Sequence, residues 1–395
     1  MGTLNVRGVI WAGLVSLVLA MTGCYAGRHA AQVTRSASAS SSYVTAREKD
    51  TAPCPAIVSG LRVSPTGRFV AFNLILAREY QARSAYVVRL GDAEVIASFR
   101  KAVPLDLIGW SADEQSLYLR MSGQVVRHHL ASGEETPVPM TAPNGPALKV
   151  ARALYSPGLD EFIIQQEHGP WYAVRMPTRR AEFLMPEGMD YVALGADRER
   201  HVAVFVACES RVLSARHEWR GTPSVALYPP RDRRARVLRL ALPRGRILRY
   251  GAITRDGRSA VLCYQEYPWL PTKCRLCDVD LATGAIKHTA ALPLQPELAV
   301  YRANILRTSR ADDGEVLLVA TESSLFTLSL DHFILRTVPG GPWPMFTDVD
   351  VTGKSWQALV ATWPDAGIWV VDLHSGTRRL LGKAAGRGWG GAGTH

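Results

Sequence analysis

Four constellations in this 395-residue chain bring together side chains able to do chemistry. Cys274-Arg275-Leu276-Cys277 has the C-x-x-C spacing of a zinc or redox site. The stretch from Cys274 to Leu281 alternates as a strand, and strand residues three apart point to opposite faces, so the two sulfurs cannot hold one metal. His128-His129 fails the same test, because adjacent strand residues diverge. Asp348-Val349-Asp350-Val351-Thr352-Gly353 opens like a calcium loop. Its twelfth position is Leu359 rather than the bidentate glutamate that loop needs, and the alternating valines read as a strand entering a turn. The fourth constellation is basic. Between Arg211 and Arg249 stand eleven arginines, among them Arg231, Arg233, Arg234, Arg236 and Arg239, against only Glu218 and Asp232.

Guanidinium forks match phosphate and carboxylate in pairs. The arginine stretch therefore reads either as a solvated loop or as a contact for an anionic partner: lipid head groups, an acidic glycan or an acidic protein face. Nucleic acid is the third reading, and an exported chain rarely meets it. Trp219, Tyr228 and Tyr250 interleave with the arginines and could stack or sit at an interface. The sequence contains no G-x-S-x-G elbow, H-E-x-x-H helix or glycine-rich phosphate loop. No catalytic residue, metal ligand or cofactor is assigned from it.

The elements that must position these groups begin after a separate N-terminal unit. Met1 to Arg7 carries one positive charge and no acid, Gly8 to Ala20 is apolar, and Met21-Thr22-Gly23-Cys24 follows. A charged start, an apolar run too short to span a bilayer and small residues before a cleavage point make a secretory signal over 1–23. The Thr-Gly-Cys ending resembles the lipobox of bacterial lipoproteins, with Met21 where leucine is usual. That resemblance implies lipidation of Cys24 and, with no acidic residue directly after it, delivery to the outer membrane. An ordinary cleaved signal and an uncleaved anchor are the alternatives. Residues 24–57, with Ser36-Ala37-Ser38-Ala39-Ser40-Ser41-Ser42, read as a tether holding the rest clear of the membrane.

From residue 58 one pattern repeats. Ser64-Pro65-Thr66-Gly67 runs into the apolar strand Phe69-Val70-Ala71-Phe72, and related turns follow with fourth residues at 114, 159, 198, 257, 314 and 353. A second signal recurs later in several units: Leu130-Ala131-Ser132-Gly133, Asp280-Leu281-Ala282-Thr283-Gly284 and Asp372-Leu373-His374-Ser375-Gly376. Both are turns in which glycine supplies positive φ and Ser or Thr caps. Units of about 48 residues with four strands each mean an all-β chain folded as a β-propeller, here with seven four-stranded blades and six or eight as the alternatives. A β-sandwich would not accommodate so many regular units. The turns resemble the Ser-Pro-Asp-Gly turns of WD-repeat-like, TolB-type periplasmic propellers. The resemblance covers residues 58–383 and implies architecture rather than activity. Residues 384–395, rich in glycine, read as a disordered tail.

The remaining cysteines are Cys54, Cys208, Cys263, Cys274 and Cys277; an oxidising compartment would favour a cross-strand disulfide from Cys263 to Cys274 or Cys277. Taken together, the expectation is an outer-membrane-anchored propeller lipoprotein acting as a protein-interaction scaffold in the cell envelope. Its partners would be the membrane, through Cys24, and envelope proteins or anionic glycans and lipids. The rival readings are a propeller enzyme (hydrolase, lyase or quinone-dependent dehydrogenase) and a glycan-binding module.

Overall fold

The computed structural model describes residues 56–391 apart from 77–80, 143–144, 157–159, 168, 177, 180, 186–188, 195–202, 208–223, 229–235, 242–246, 255–256, 268–269, 294–303, 312–313, 322, 342, 353, 355 and 386–387. The chain divides into two units, Met1–Ala52 and Pro53–His395. The signal, Cys24, Cys54 and nearly all of the tether lie outside the described residues.

Within the second unit, six four-stranded antiparallel sheets and one five-stranded sheet follow one another along the chain. These are the blades. Each begins with an inner strand: Ala56–Val63, Leu105–Trp110, Val150–Ser156, Met189–Leu194, Ile247–Ile253, Asn304–Ala311 and Met345–Val351. All seven inner strands carry a β-bulge or register shift, for example between Leu107 and Gly109 or between Phe346 and Asp348. A bulge adds local twist, which turns one blade relative to the next.

The middle strands read as unbroken apolar runs because both of their faces are buried. In blade 1, Val70, Phe72 and Leu74 face blade 7 while Ala71 faces blade 2. Core clusters fill the seams between blades 1 and 2, 2 and 3, 4 and 5, 5 and 6, 6 and 7, and 7 and 1. The core is thus a ring of seams rather than one centre.

Both repeated turns lie at the same end of the blades. In the first, an opening Ser or Thr closes the turn mouth: Ser64 N–H donates to Phe69 O (2.9 Å), Ser111 N–H to Ser116 O (2.9 Å) and Thr254 N–H to Ser259 O (2.9 Å). The Ser111 and Thr254 hydroxyls donate to those same carbonyls, which is why a hydroxyl residue recurs at this position. In the second turn, the residue after the third strand ties the two turns together. Leu90, Leu130, Leu281 and Leu373 donate their N–H groups to the carbonyls of Arg68, Gln115, Arg258 and Trp356. The glycine that follows has positive φ at Gly133, Gly284 and Gly376, and Ala93, Arg179 and Phe333 hold the same conformation without glycine. The sequence signal is therefore visible in only some units, although the turn is formed more widely. The opposite end is a loop face: each inner strand starts there beside the preceding blade, as where Leu105 N–H meets Ala82 O (2.8 Å) and Val150 N–H meets Gly123 O (2.7 Å).

Blade 7 closes the ring onto blade 1 in two ways. Asp348 Oδ2 accepts from the Leu61 amide (2.8 Å), and Asp350 Oδ2 accepts from the Val63 amide (2.9 Å). The second closure is a fifth strand, Gly388–Gly391, which pairs with Arg378–Ala385. It carries Trp389 edge-on to Phe72, 4.7 Å between ring centres. The glycine-rich end is thus not disordered over 388–391: a single tryptophan among the glycines supplies enough apolar surface to order the strand against the first blade.

Candidate functional site at the inner edge of blades 2 and 3

The inner strands of blades 2 and 3 diverge at the loop face and leave a cavity of about 290 Å³. Asp106, next to the start of its strand, sits directly across from Arg120 at the end of the neighbouring strand, and the two form an ion pair. Arg152 projects from the blade 3 inner strand, and the residues from Ala151 to Leu154 form the far wall. Trp171, fully buried at the start of the third strand of blade 3, completes the lining. Two guanidinium groups, one carboxylate and an indole give a site suited to holding an anion or a planar polar group.

The cavity was hidden in the sequence because its residues come from two units that pattern-matching treats as equivalent. The available signal was Arg120 closing the otherwise apolar strand Ser116-Leu117-Tyr118-Leu119, at the position that pairs with Asp106.

At the turn face, a smaller cavity of about 140 Å³ between blades 1 and 2 is walled by Phe69, Val87, Ile96 and Leu130. Glu114 borders it, and Thr66 donates to Glu114 from both its amide and its hydroxyl, the latter at 2.8 Å, while Arg68 adds an ion pair at 3.1 Å. Burial pushes the Glu114 carboxyl up, but these donors outweigh it and hold the group below the usual range. Glu114 replaces, in blade 2, the glycine that ends the turn of blade 1, and keeps its positive φ of 58°. The carboxylate spans two successive turns, a structural use of a charge that sequence reading missed.

The residues singled out in the sequence fall in different places. Arg231, Arg233 and Arg234 lie outside the described residues. Arg236 and Arg239 occupy the outermost strand of blade 4, paired with Leu227 and Ser224, and their side chains lie outside the described part. His128 is buried and stacks on Phe99 (4.1 Å), with Glu135 at 3.2 Å from Nδ1 and Lys101 at 2.6 Å from Glu135. Burial lowers the His128 pKa against the opposing pull of Glu135. His129 instead meets Ser132 in the next turn, and the two histidines do diverge.

Cys263, Cys274 and Cys277 are all buried. Cys274 faces the seam with blade 6 beside Cys263, whereas Cys277 faces the seam with blade 4. The C-x-x-C sulfurs therefore do point apart, and of the two pairings considered only Cys263 with Cys274 shares a face. Burial pushes the Cys277 thiol up to about 12. The calcium-like acids Asp348 and Asp350 are spent on the ring closure. Among the described residues no group of three His, Cys, Asp or Glu side chains could hold a metal.

No family model and no curated protein matches the sequence. Solved structures do. Hydrazine synthase of Kuenenia stuttgartiensis aligns with a TM-score of 0.52 and 14% identity, over 84% of this chain and 99% of that one. The β-propeller domain of Myceliophteria thermophila Cps50 (Swd1) aligns with a TM-score of 0.52 and 14% identity, over 80% and 95%. The fold is a β-propeller. The dihydro-heme d1 dehydrogenase NirN, in complex with DHE, gives a TM-score of 0.50 and 13% identity, over 85% of this chain and 67% of that one. At such identities the likeness to these propellers concerns the fold alone.

Proposed function

We propose that the protein is a lipid-anchored propeller of the bacterial envelope that acts as an interaction scaffold. The observation that carries this reading is the N-terminal order of a charged start, an apolar run, Thr22-Gly23-Cys24 and a serine-rich stretch ahead of a β-rich unit. A ring whose seams are packed and whose ends are latched is a rigid disc with two faces, and a scaffold needs rigidity more than a reacting group. The arginine stretch 211–249 is the leading contact for an acidic partner.

Cys24→Ala tests the anchor: it should release the protein from the membrane fraction and remove acyl mass, and a variant that still fractionates with membranes sinks the claim. Charge reversal at Arg231, Arg233, Arg234 and Arg236 should deplete partners recovered with the lipidated protein from its own envelope; an unchanged set leaves the arginines as a solvated loop. The cavity beside Arg120 and Arg152 favours a second reading, a binding module for an acidic glycan or small anion. Saturable binding of an acidic sugar, lost in Arg120→Ala, would support it. Two of the structural neighbours carry enzyme names, hydrazine synthase and a dehydrogenase, and an enzymatic role remains the rival from another class.

A further inference from the structure

Large apolar side chains are not scattered evenly over the exposed surface. Among the described residues seven are conspicuously exposed, and four of these stand at the loop face: Ile57 (38%), Val103 (40%), Met345 (43%) and Trp363 (38%). Ile57 pairs with Ile75 at the start of blade 1, and Met345 pairs with Trp363 at the start of blade 7. The two inner strands run side by side in the same direction, since Leu61 meets Asp348 and Val63 meets Asp350. Ile57 and Met345 therefore lie at nearly the same height on neighbouring blades. Met345 and Trp363 form an apolar patch on the face of their sheet that carries Leu359 and Ala361 toward blade 1, and Ile57 stands on the opposite face of the blade 1 sheet from Val58. Ile96 and Ile334 lie toward the turn face instead.

Charge follows the same asymmetry. Arg83, Arg100, Lys149 and Lys383 are exposed at the loop face, together with the two cavity arginines. The exposed acids there are Asp106, Glu167 and Asp365, of which the first two are paired with Arg120 and Lys149. At the turn face acids and bases are matched: Asp92 and Glu94 pair with Arg89, Asp113 with Arg127 and Asp280 with Lys287. The chain also enters the described fold at the loop face, where the blade 1 inner strand begins at Ala56.

We propose that the loop face rests directly on an anionic lipid bilayer, with Trp363, Met345 and Ile57 in the head-group layer and the flanking lysines and arginines on lipid phosphates. Amphipathic tryptophan is favoured at that depth, and each basic group near an anionic surface adds to the attraction. The proposal rests on the membrane-anchored reading and changes it in one respect. The stretch before Ala56 then works as a leash for a disc lying flat, rather than as a spacer holding it away. The cavity at Arg120 and Arg152 would open toward the head groups.

The test uses full-length lipidated protein in vesicles of phosphatidylethanolamine and phosphatidylglycerol, some made with chain-brominated lipid. Brominated lipid should quench part of the tryptophan emission, and Trp363→Leu, which keeps the patch apolar, should remove most of that quenched part. In a second arm the unlipidated Cys24→Ala chain is floated with the same vesicles at low salt. Arg83→Glu with Lys383→Glu should lower its binding about tenfold, while Ile334→Gln on the turn face should leave it unchanged. Quenching that is equal in wild type and Trp363→Leu overturns the proposal. So does concentration-dependent self-association without lipid that Trp363→Gln abolishes, because the patch would then be covered by a second copy. Acyl mass on Cys24 is read separately: a chain without it that still floats through Lys383 overturns the anchor and supports the face.

Discussion

Trp389 gives the most direct check on how the ring is closed. It is 9% exposed and lies in the seam that joins blade 7 to Val58, Val70 and Phe72 of blade 1. A tryptophan in such a place buries roughly 150–250 Å², which at about 25 cal/mol per Å² corresponds to about 4–6 kcal/mol. Its indole N–H is buried without an acceptor, and that omission takes back about 1–3 kcal/mol. Trp389→Ala should therefore destabilise by about 3 kcal/mol, at the low end of the usual range for emptying a large aromatic site. For a domain of this size about 2 °C accompanies each kcal/mol, so the melting temperature should fall by about 6 °C in calorimetry. Trp389→Phe should keep more than half of the stability, since it retains the edge contact with Phe72 and removes the unpaired donor. A chain ending at Arg387 should lose slightly more than Trp389→Ala, because the backbone pairing to Gly382 and Ala384 goes as well. A loss below about 1 kcal/mol, or a truncated chain as stable as the full one, would refute the closure argument.

Asp348 offers a test by pH. Burial raises its carboxyl above the ordinary value of 3.8, against the pull of Arg62 and the Leu61 amide, so the folded chain holds this proton more tightly than the unfolded one. Relative to Asp348→Asn, wild type should be steady below that value and lose stability as pH rises above it, through the folded pKa; urea titrations of both proteins showing a flat difference would contradict this. At Gly376, φ is +71° and an added Cβ would meet the Pro339 carbonyl at 2.0 Å, whereas Gly133 has φ +68° and open space. Gly133→Ala should cost about 1–2 kcal/mol of backbone strain, and Gly376→Ala clearly more, by denaturant unfolding; equal costs would mean that the turn of blade 7 is not packed on blade 6. Because its thiol is buried and pushed up to about 12, Cys277 should resist alkylation in the folded protein at pH 8 and react in denaturant. Prompt labelling without unfolding would show that the seam between blades 4 and 5 opens.

The repeat was legible because its turns demand particular residues. A hydroxyl must close the first turn and a positive φ must end the second, so Ser64, Ser111, Thr254, Gly133, Gly284 and Gly376 mark the blades from the sequence alone. The turns at Ala93, Arg179 and Phe333 adopt the same conformation and were invisible, since tertiary packing there supplies what glycine supplies elsewhere. Blade count and strand direction followed from period and alternation. The contacts between blades did not, because the seams join residues about one repeat apart, or the two ends of the fold where blade 7 meets blade 1, and a one-dimensional pattern does not say which face meets which. That limit explains three separate oversights. Asp348 and Asp350 read as a failed calcium loop, yet their oxygens are claimed by amides on a strand 287 residues away. Trp389 read as part of a loose tail, yet its partner is Phe72 at the other end of the fold. Arg120 and Asp106 carried no sequence motif at all, yet with Arg152 of the next blade they frame a cavity.

These three oversights bear on one question, namely what a ring-shaped chain does with its ends. No strand from the N-terminal segment completes the last blade among the described residues; blade 1 contains four consecutive strands and blade 7 five. Closure therefore depends on side chains, two carboxylates and one indole, that act across the seam between blades 7 and 1. The exposed pair Met345 and Trp363 lies at the loop-face end of that same seam, with Ile57 of blade 1 at nearly the same height. A surface that covers the patch would hold blades 7 and 1 together from outside, adding to the latch what strand exchange would otherwise provide. If the loop face does rest on lipid, then vesicles should raise the thermal stability of Trp389→Ala more than that of wild type, because the weakened seam gains most from an external clamp. Equal stabilisation of the two proteins would separate the patch from the closure.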